Sequence, residues 1–313
     1  MRRCGQPTKT ASLSLPRTTD HREKTLVAPA IIAGVGVHTG QRVRLAVRPA
    51  APGTGIVFVR TDIHDRDNRI PVSGEAVIDA RLNTMIENAA GVRLSTIEHL
   101  MAAFCALGVA NAVVEVDGPE LPILDGSALP FVQLLDRAGF RRQSAPVRYI
   151  EILQPIRVEE GDKTAALLPC DRYEMRFEID FPTPVIGNQV VDFVVDEDTF
   201  RNEIMAARTF GFAHEVEALR QAGLARGGSL ENAVVIDGDE ILNPGGLRME
   251  REFVRHKALD AIGDLYVLGA PLIGRYEGVK AGHAINNKLV RALLAQPDAW
   301  RETVRIEELA QAG

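Results

Sequence analysis

Cysteine is scarce in this chain of 313 residues, with Cys4, Cys105 and Cys170 the full complement. An odd, scattered set builds no disulfide framework and has no zinc-ribbon spacing, so a reducing, cytoplasmic setting is expected. Long apolar runs are missing as well. No segment approaches the roughly 20 residues that a membrane span needs. The opening MRRCGQPTKTASLSLPRTTDHREKT is basic and rich in Ser and Thr but has no hydrophobic stretch, which excludes a secretory signal. Net positive charge is lacking too. The formal charge of −6 argues against a nucleic-acid partner read by the whole surface, though a local basic patch stays compatible with it. Nothing marks an exposed apolar interface, so the default is a monomer without stable membrane insertion.

What the chain does have is 46% hydrophobic and 25% charged residues, ordinary for a globular protein with real cores. Its length allows two domains at about 100–200 residues each. Residues 1–24 read as a disordered N-terminal extension, or as the product of a misplaced start codon, with the fold beginning near Thr25. VRLAVRP and GIVFVR alternate in the manner of strands. STIEHLMAAFCALG then reads as helix, NAVVEVDG as strand and LPFVQLLDRAGF as helix. After Pro146, strand character returns in YIEILQPIRVE, KTAALLP and YEMRFEIDF. A helix at HEVEALRQAG, a turn at ARGGS and a strand at NAVVID precede a helix over about 250–268. The strand PLIGRYEGVK and the helix NNKLVRALLAQ follow.

Set side by side, HLMAAFCALG–ANAVVEVDG–LPFVQLLDRAG and KALDAIGDLYVLG–APLIGRYEG–NNKLVRALLAQ share one order: helix, strand, helix. The pattern predicts an α+β fold of two similar domains, residues 25–145 and 146–313. Each is a layer of strands packed with helices, and a duplication of this kind places a site in the crevice between the copies. GVGVHTG (34–40) comes near a dinucleotide-binding fingerprint, but its last glycine is one residue late and strand follows it. That reading is rejected.

EFVRHKALDAIGD (252–264) raises the sharper question. His256, Asp260 and Asp264 recur at four-residue steps, so they project from one helix face, one turn apart. Val254, Ala258, Ile262 and Leu265 fall roughly opposite, toward a core. The plain reading is a solvated polar face. Three details weigh against it. His at i and Asp at i+4 can reach one metal ion. Phe253, Leu259 and Val267 flank the stripe, where solvent would not favour them. The one cation beside it, Lys257, points about a quarter-turn away.

A metal site needs a third ligand, and His99 lies in the matching helix of the first half. Two histidines and one aspartate leave a coordination position open, the arrangement of catalytic rather than structural zinc. Glu98, next to a ligand, is then positioned to take a proton from water, whose pKa bound zinc lowers toward about 7. Glu98 has a plain reading too. Ser95-Thr96-Ile97-Glu98 matches the capping box, in which Glu reaches back to the N-cap amide. A non-catalytic protein with a structural metal is a further alternative. Such sites use four protein ligands with several cysteines, and the three scattered cysteines here supply no such set.

STIEHLMAAF, ELPILDGSALPFV, RTFGF, EFVRHKALDAIGDLYVLG and GHAINNKL, in this order, resemble the UDP-3-O-acyl-N-acetylglucosamine deacetylase family, the zinc amidases of lipid A biosynthesis. The resemblance covers about residues 25–303. It implies removal of the N-acetyl group from UDP-3-O-((R)-3-hydroxyacyl)-N-acetylglucosamine with release of acetate, an early committed step of that pathway. It implies the same ligands, His99, His256 and Asp260, and Glu98 as the base. It further implies His283 as the protonated partner of the oxyanion and leaving amine, Asp264 as the carboxylate orienting it, and Thr209 as a hydrogen-bond donor to the oxyanion. One Zn²⁺ per chain suits a His₂Asp set, and Fe²⁺ accepts the same ligands.

The resemblance also implies substrate contacts. Lys257 would meet the diphosphate, with Lys280 a second candidate. Phe210 and Phe212 would line the nucleotide-sugar region, or else be core aromatics. An insert over about 205–237 would form an apolar passage for the acyl chain, with Val216, Leu219, Ala225, Gly228, Ser229 and Val235 along it. A related zinc hydrolase acting on another amide or peptide is the alternative enzyme. His38 receives no chemical role here, and His64 and His214 read as exposed bystanders.

Overall fold

The computed structural model describes residues 21–305. Strands β1 (Arg22–Leu26), β2 (Ala30–Val35), β3 (Arg42–Pro49), β4 (Ile56–Arg60) and β5 (Arg69–Pro71) open the first half. Three short strands follow, β6 (Val77–Asp79), β7 (Met85–Glu87) and β8 (Arg93–Leu94). Helix α1 (Glu98–Leu107), strand β9 (Ala112–Val116), helix α2 (Leu129–Ala138) and strand β10 (Phe140–Pro146) complete it. Gly108, with φ of 68°, ends α1 in the left-handed conformation that glycine adopts without a Cβ penalty.

The fold begins earlier than the expected Thr25, because β1 pairs antiparallel with β10 from Arg22 onward. Its charged residues look unsuited to an interior strand, but they find partners there. Glu23 accepts from the Gly53 N–H and the Asn111 amide, and the Lys24 ammonium donates to the Leu107 carbonyl. Residues 1–20 of the anticipated extension lie outside the described residues.

The second half runs through β11 (Arg148–Ile152), β12 (Ile156–Glu160), β13 (Lys163–Leu168), β14 (Tyr173–Asp180) and β15 (Asn188–Val194). A helical turn, α3 (Glu197–Thr199), continues into a π-turn at Phe200–Ile204. The insert holds β16 (Phe210–Phe212), α4 (Ala213–Gln221), β17 (Val234–Asp237) and β18 (Glu240–Ile241). Helix α5 (Glu252–Tyr266), strand β19 (Leu272–Val279), helix α6 (His283–Leu294) and strand β20 (Trp300–Val304) follow.

The pairings repeat as the sequence pattern does. In the first half the sheet order is β2-β3-β9-β4-β5, with β9 antiparallel to β3 and parallel to β4. In the second, β19 is antiparallel to β13 and parallel to β14, while β12 and β15 pair at the outer sides of those two strands. Strands β11 and β20 extend that sheet. Among the described residues no ladder joins a strand before Val147 to one after it.

The halves meet through α1 and α5, which pack on one another. Every residue of α5 except Arg255 and Lys257 is buried, the His–Asp–Asp stripe included. The solvated-face reading therefore fails. Neighbours cover the helix on all sides: α1, α6 and the strands β14 and β15. Gly263 lets the backbones close, because a Cβ there would overlap the carbonyl oxygen of Glu98. Gly263→Ala is expected to destabilise the protein by about 1–3 kcal/mol, the usual cost of overpacking. Denaturant unfolding checks this, and an unchanged midpoint would contradict the close crossing.

Candidate active site

The α1–α5 contact brings His99, His256 and Asp260 together, with one ligand atom of each within 4.8 Å of the others. The two imidazoles stand edge to face with centroids 5.1 Å apart. Nδ1 of His256 lies 3.0 Å from the carbonyl oxygen of Ala207, so that nitrogen donates and Nε2 is the acceptor. Ala207 is held there by its neighbour. The Arg208 guanidinium and N–H bind the buried Glu252 carboxylate in the first turn of α5 at 2.8 and 3.0 Å.

Burial pushes the His256 pKa down to about 4, only partly opposed by Asp260, so the ring is neutral near pH 7. Burial also works against ionised Asp260, but His256, Lys257 and His283 outweigh it and hold the carboxyl well below its usual range. Asp260 Oδ1 is buried without a hydrogen-bond partner, 3.3 Å from His256 Nε2 and 3.5 Å from His99 Nε2. An acceptor nitrogen facing a carboxylate oxygen is repulsive unless a cation lies between them. The donor set of two imidazoles and one carboxylate fits a divalent metal.

Beside this trio stand Glu98 and His283. Burial raises the Glu98 pKa, with His283 and His99 offsetting part of the effect. For His283 burial acts downward, but Asp264, then Asp260, overcomes it and pushes the pKa up to about 9. Nε2 of His283 lies 3.9 Å from both Glu98 Oε1 and Asp260 Oδ2, while Nδ1 is 2.9 Å from Asp264 Oδ2. The capping-box reading of Glu98 fails. The helix starts at Glu98 itself, its N-cap Ile97 carries no side-chain cap, and Ser95 Oγ turns to the Pro119 carbonyl. Glu98 Oε2 instead accepts from the Thr84 N–H at 3.1 Å.

Three further groups complete the network, and sequence reasoning had missed all of them. Thr84 donates its hydroxyl to Asp264 Oδ1 at 2.6 Å, Asn286 donates to Asp264 Oδ2 at 2.9 Å, and Tyr276 donates to Asn286 Oδ1 at 2.7 Å. Asn286 had a usable signal, since it lies one helical turn after His283. Thr84 had none, because its partner is 180 positions away.

These groups open into a cavity of about 570 Å³. Thr209, Phe210 and Lys257 line it, as do all six anticipated insert positions, Val216, Leu219, Ala225, Gly228, Ser229 and Val235. Lys257 does not turn away from the stripe: its ammonium reaches Asp260 Oδ2 at 3.0 Å and stands 5.8 Å from the Phe210 ring centre. Two anticipated contacts lie elsewhere. Lys280, at φ of 51°, directs its ammonium to Asp162 and Asp180 at 3.0 and 3.1 Å and is not on the cavity wall. Phe212 packs on Phe181 and His214, with centroids 6.0 and 5.7 Å away, behind the lining residues Phe210 and Gly211.

GVGVHTG forms part of the wall. The buried carboxylate of Glu120 accepts from the N–H groups of His38 and Thr39, both at 2.9 Å, and a Cβ at Gly36 would overlap that carboxylate. The turn in turn accepts from the insert, Gly227 N–H to the Val37 carbonyl at 3.0 Å. His38 thereby faces the cavity, with Nδ1 buried and without a hydrogen-bond partner. His64 and His214 are exposed, as anticipated.

A model of the family described as UDP-3-O-acyl N-acetylglycosamine deacetylase matches residues 23–295. A relative from Phenylobacterium zucineum (strain HLK1), named UDP-3-O-acyl-N-acetylglucosamine deacetylase, is 67% identical over 290 residues, 93% of this chain and 99% of the relative. A protein of the same name from Shewanella oneidensis is 51% identical over 292 residues, 93% of this chain and 95% of its own. Matched from near its first described strand to its last helix, the chain belongs to the UDP-3-O-acyl-N-acetylglucosamine deacetylase family.

Proposed function

We propose that this chain hydrolyses the N-acetyl amide of UDP-3-O-((R)-3-hydroxyacyl)-N-acetylglucosamine and releases acetate, an early step of lipid A biosynthesis. The observation that carries the reading is one of adjacency. A buried His₂Asp cation site lies against a carboxylate and a high-pKa imidazole, in a cavity that continues along the insert.

His99, His256 and Asp260 would hold the metal, Zn²⁺ by preference, although Fe²⁺ accepts the same donors. When bound, it supplies Lewis-acid polarisation of the amide carbonyl and lowers the pKa of water toward about 7. Glu98 takes the proton of the attacking water. His283, kept protonated by Asp264, stabilises the developing oxyanion and delivers a proton from Nε2 to the leaving amine. Thr209, tied through its backbone to Gly126 and Val234, supports a hydrogen bond to the oxyanion. Lys257 keeps a cation beside the anionic substrate. Along Val216, Leu219, Ala225, Gly228, Ser229 and Val235 the acyl chain gains about 0.8 kcal/mol per buried methylene. All these residues come from one chain, so a monomer suffices. A reducing cytoplasm suits a chain with only three cysteines scattered along its sequence.

Turnover of the acylated nucleotide sugar, set against a panel of simple acetylated sugars, tests the reading. The nucleotide sugar is expected to be strongly preferred, and equal rates would point to another amide. Because His283 acts protonated, activity should be lost as pH rises through about 9. Asp264→Asn, which removes the main stabiliser of the charged ring, should move that alkaline limb toward lower pH. A limb unmoved by this change would contradict the roles given to the pair.

A further inference from the structure

Thr84 precedes β7, is buried, and belongs to none of the chemistry-bearing motifs of the sequence. All three of its polar groups are spent on the two catalytic helices. Its N–H donates to Glu98 Oε2 at 3.1 Å, its carbonyl accepts from the Ile97 N–H at 3.5 Å, and its hydroxyl donates to Asp264 Oδ1 at 2.6 Å. Glu98 sits on α1 and Asp264 on α5, from opposite halves of the duplication. One residue therefore bridges the carboxylate of the base, through its backbone N–H, and the carboxylate behind the acid, through its hydroxyl.

A carboxylate turns easily about its last torsion, which has no sharp staggered wells. His283 Nδ1 faces both Asp264 oxygens, at 3.0 and 2.9 Å, so the donors that fix the turn of the carboxylate are Asn286 on Oδ2 and the Thr84 hydroxyl on Oδ1. Thr84 is well suited to this, since a β-branched side chain is stiff at χ1. We propose that Thr84 is a positioning residue, which keeps Glu98 and the Asp264–His283 pair in register across the crevice. The proposal rests on the reading that Glu98 and His283 divide the proton transfers.

Thr84→Val keeps the shape and the backbone N–H but removes the hydroxyl. It is expected to lower kcat about 10–100-fold, the usual effect of losing a partner that orients an active-site ligand. KM, metal content and circular dichroism should stay close to wild type. Thr84→Ser, which retains the hydroxyl, should recover most of kcat. An independent readout is the low-field proton signal of the His283 imidazole N–H, assigned by its loss in His283→Gln. Thr84→Val should shift or broaden it, and Thr84→Ser should restore it. A Thr84→Val enzyme with wild-type kcat, or a Thr84→Ser enzyme as slow as Thr84→Val, overturns the proposal. A wild type unable to deacetylate the nucleotide sugar overturns the functional reading instead, and is seen in the same assay.

Discussion

Glu98→Gln is expected to lower kcat about 10²–10⁴-fold, the range for removing a general base, while the protein remains folded. Glutamine keeps the length of the side chain and can still accept from the Thr84 N–H, so the first turn of α1 stays anchored. The change also removes a carboxylate whose charged form burial disfavours, and stability should hold or rise. Slow turnover with an unchanged melting temperature would separate a proton-transfer role from a structural one. Were Glu98 only a packing or capping residue, the amide would serve equally well and kcat would not move.

His256→Ala should abolish metal binding and with it most of the activity. The side chain is fully enclosed, its Nδ1 is spent on Ala207, and its Nε2 has no other task than to face Asp260 and His99. Losing the metal removes several kcal/mol of transition-state stabilisation, about 10³-fold in rate or more. The fold should survive, because the apolar residues of α5 and α1 carry the interface between the halves. Metal analysis and kinetics on the variant check both effects. Retention of a full complement of metal would remove His256 from the ligand set.

The cluster of His99, His256 and Asp260 was legible because two signals in the sequence are local. The four-residue step set His256 and Asp260 on one face, and the repeated helix–strand–helix order made His99 the natural third member. Burial of the stripe was not legible, since a helical wheel cannot tell solvent from a second helix that brings its own polar residues. Local motifs also failed where the tertiary fold overrode them. Ser95-x-x-Glu98 has capping-box spacing, but Thr96 takes φ of 60° and the helix starts only at Glu98. Lys280 looked free to meet an anion until Asp162 and Asp180, 118 and 100 positions before it, claimed its charge. Thr84 fails in the opposite sense. Nothing around it hints at chemistry, and its role arises only where the two halves meet.

The whole account turns on a single cation shared by helices from the two halves. Its most direct test is metal content measured together with deacetylation kinetics, on purified wild type, after stripping and after adding Zn²⁺ back. About one ion per chain is expected, with turnover lost on removal and regained on return. A metal-free protein that deacetylates at the full rate would contradict it.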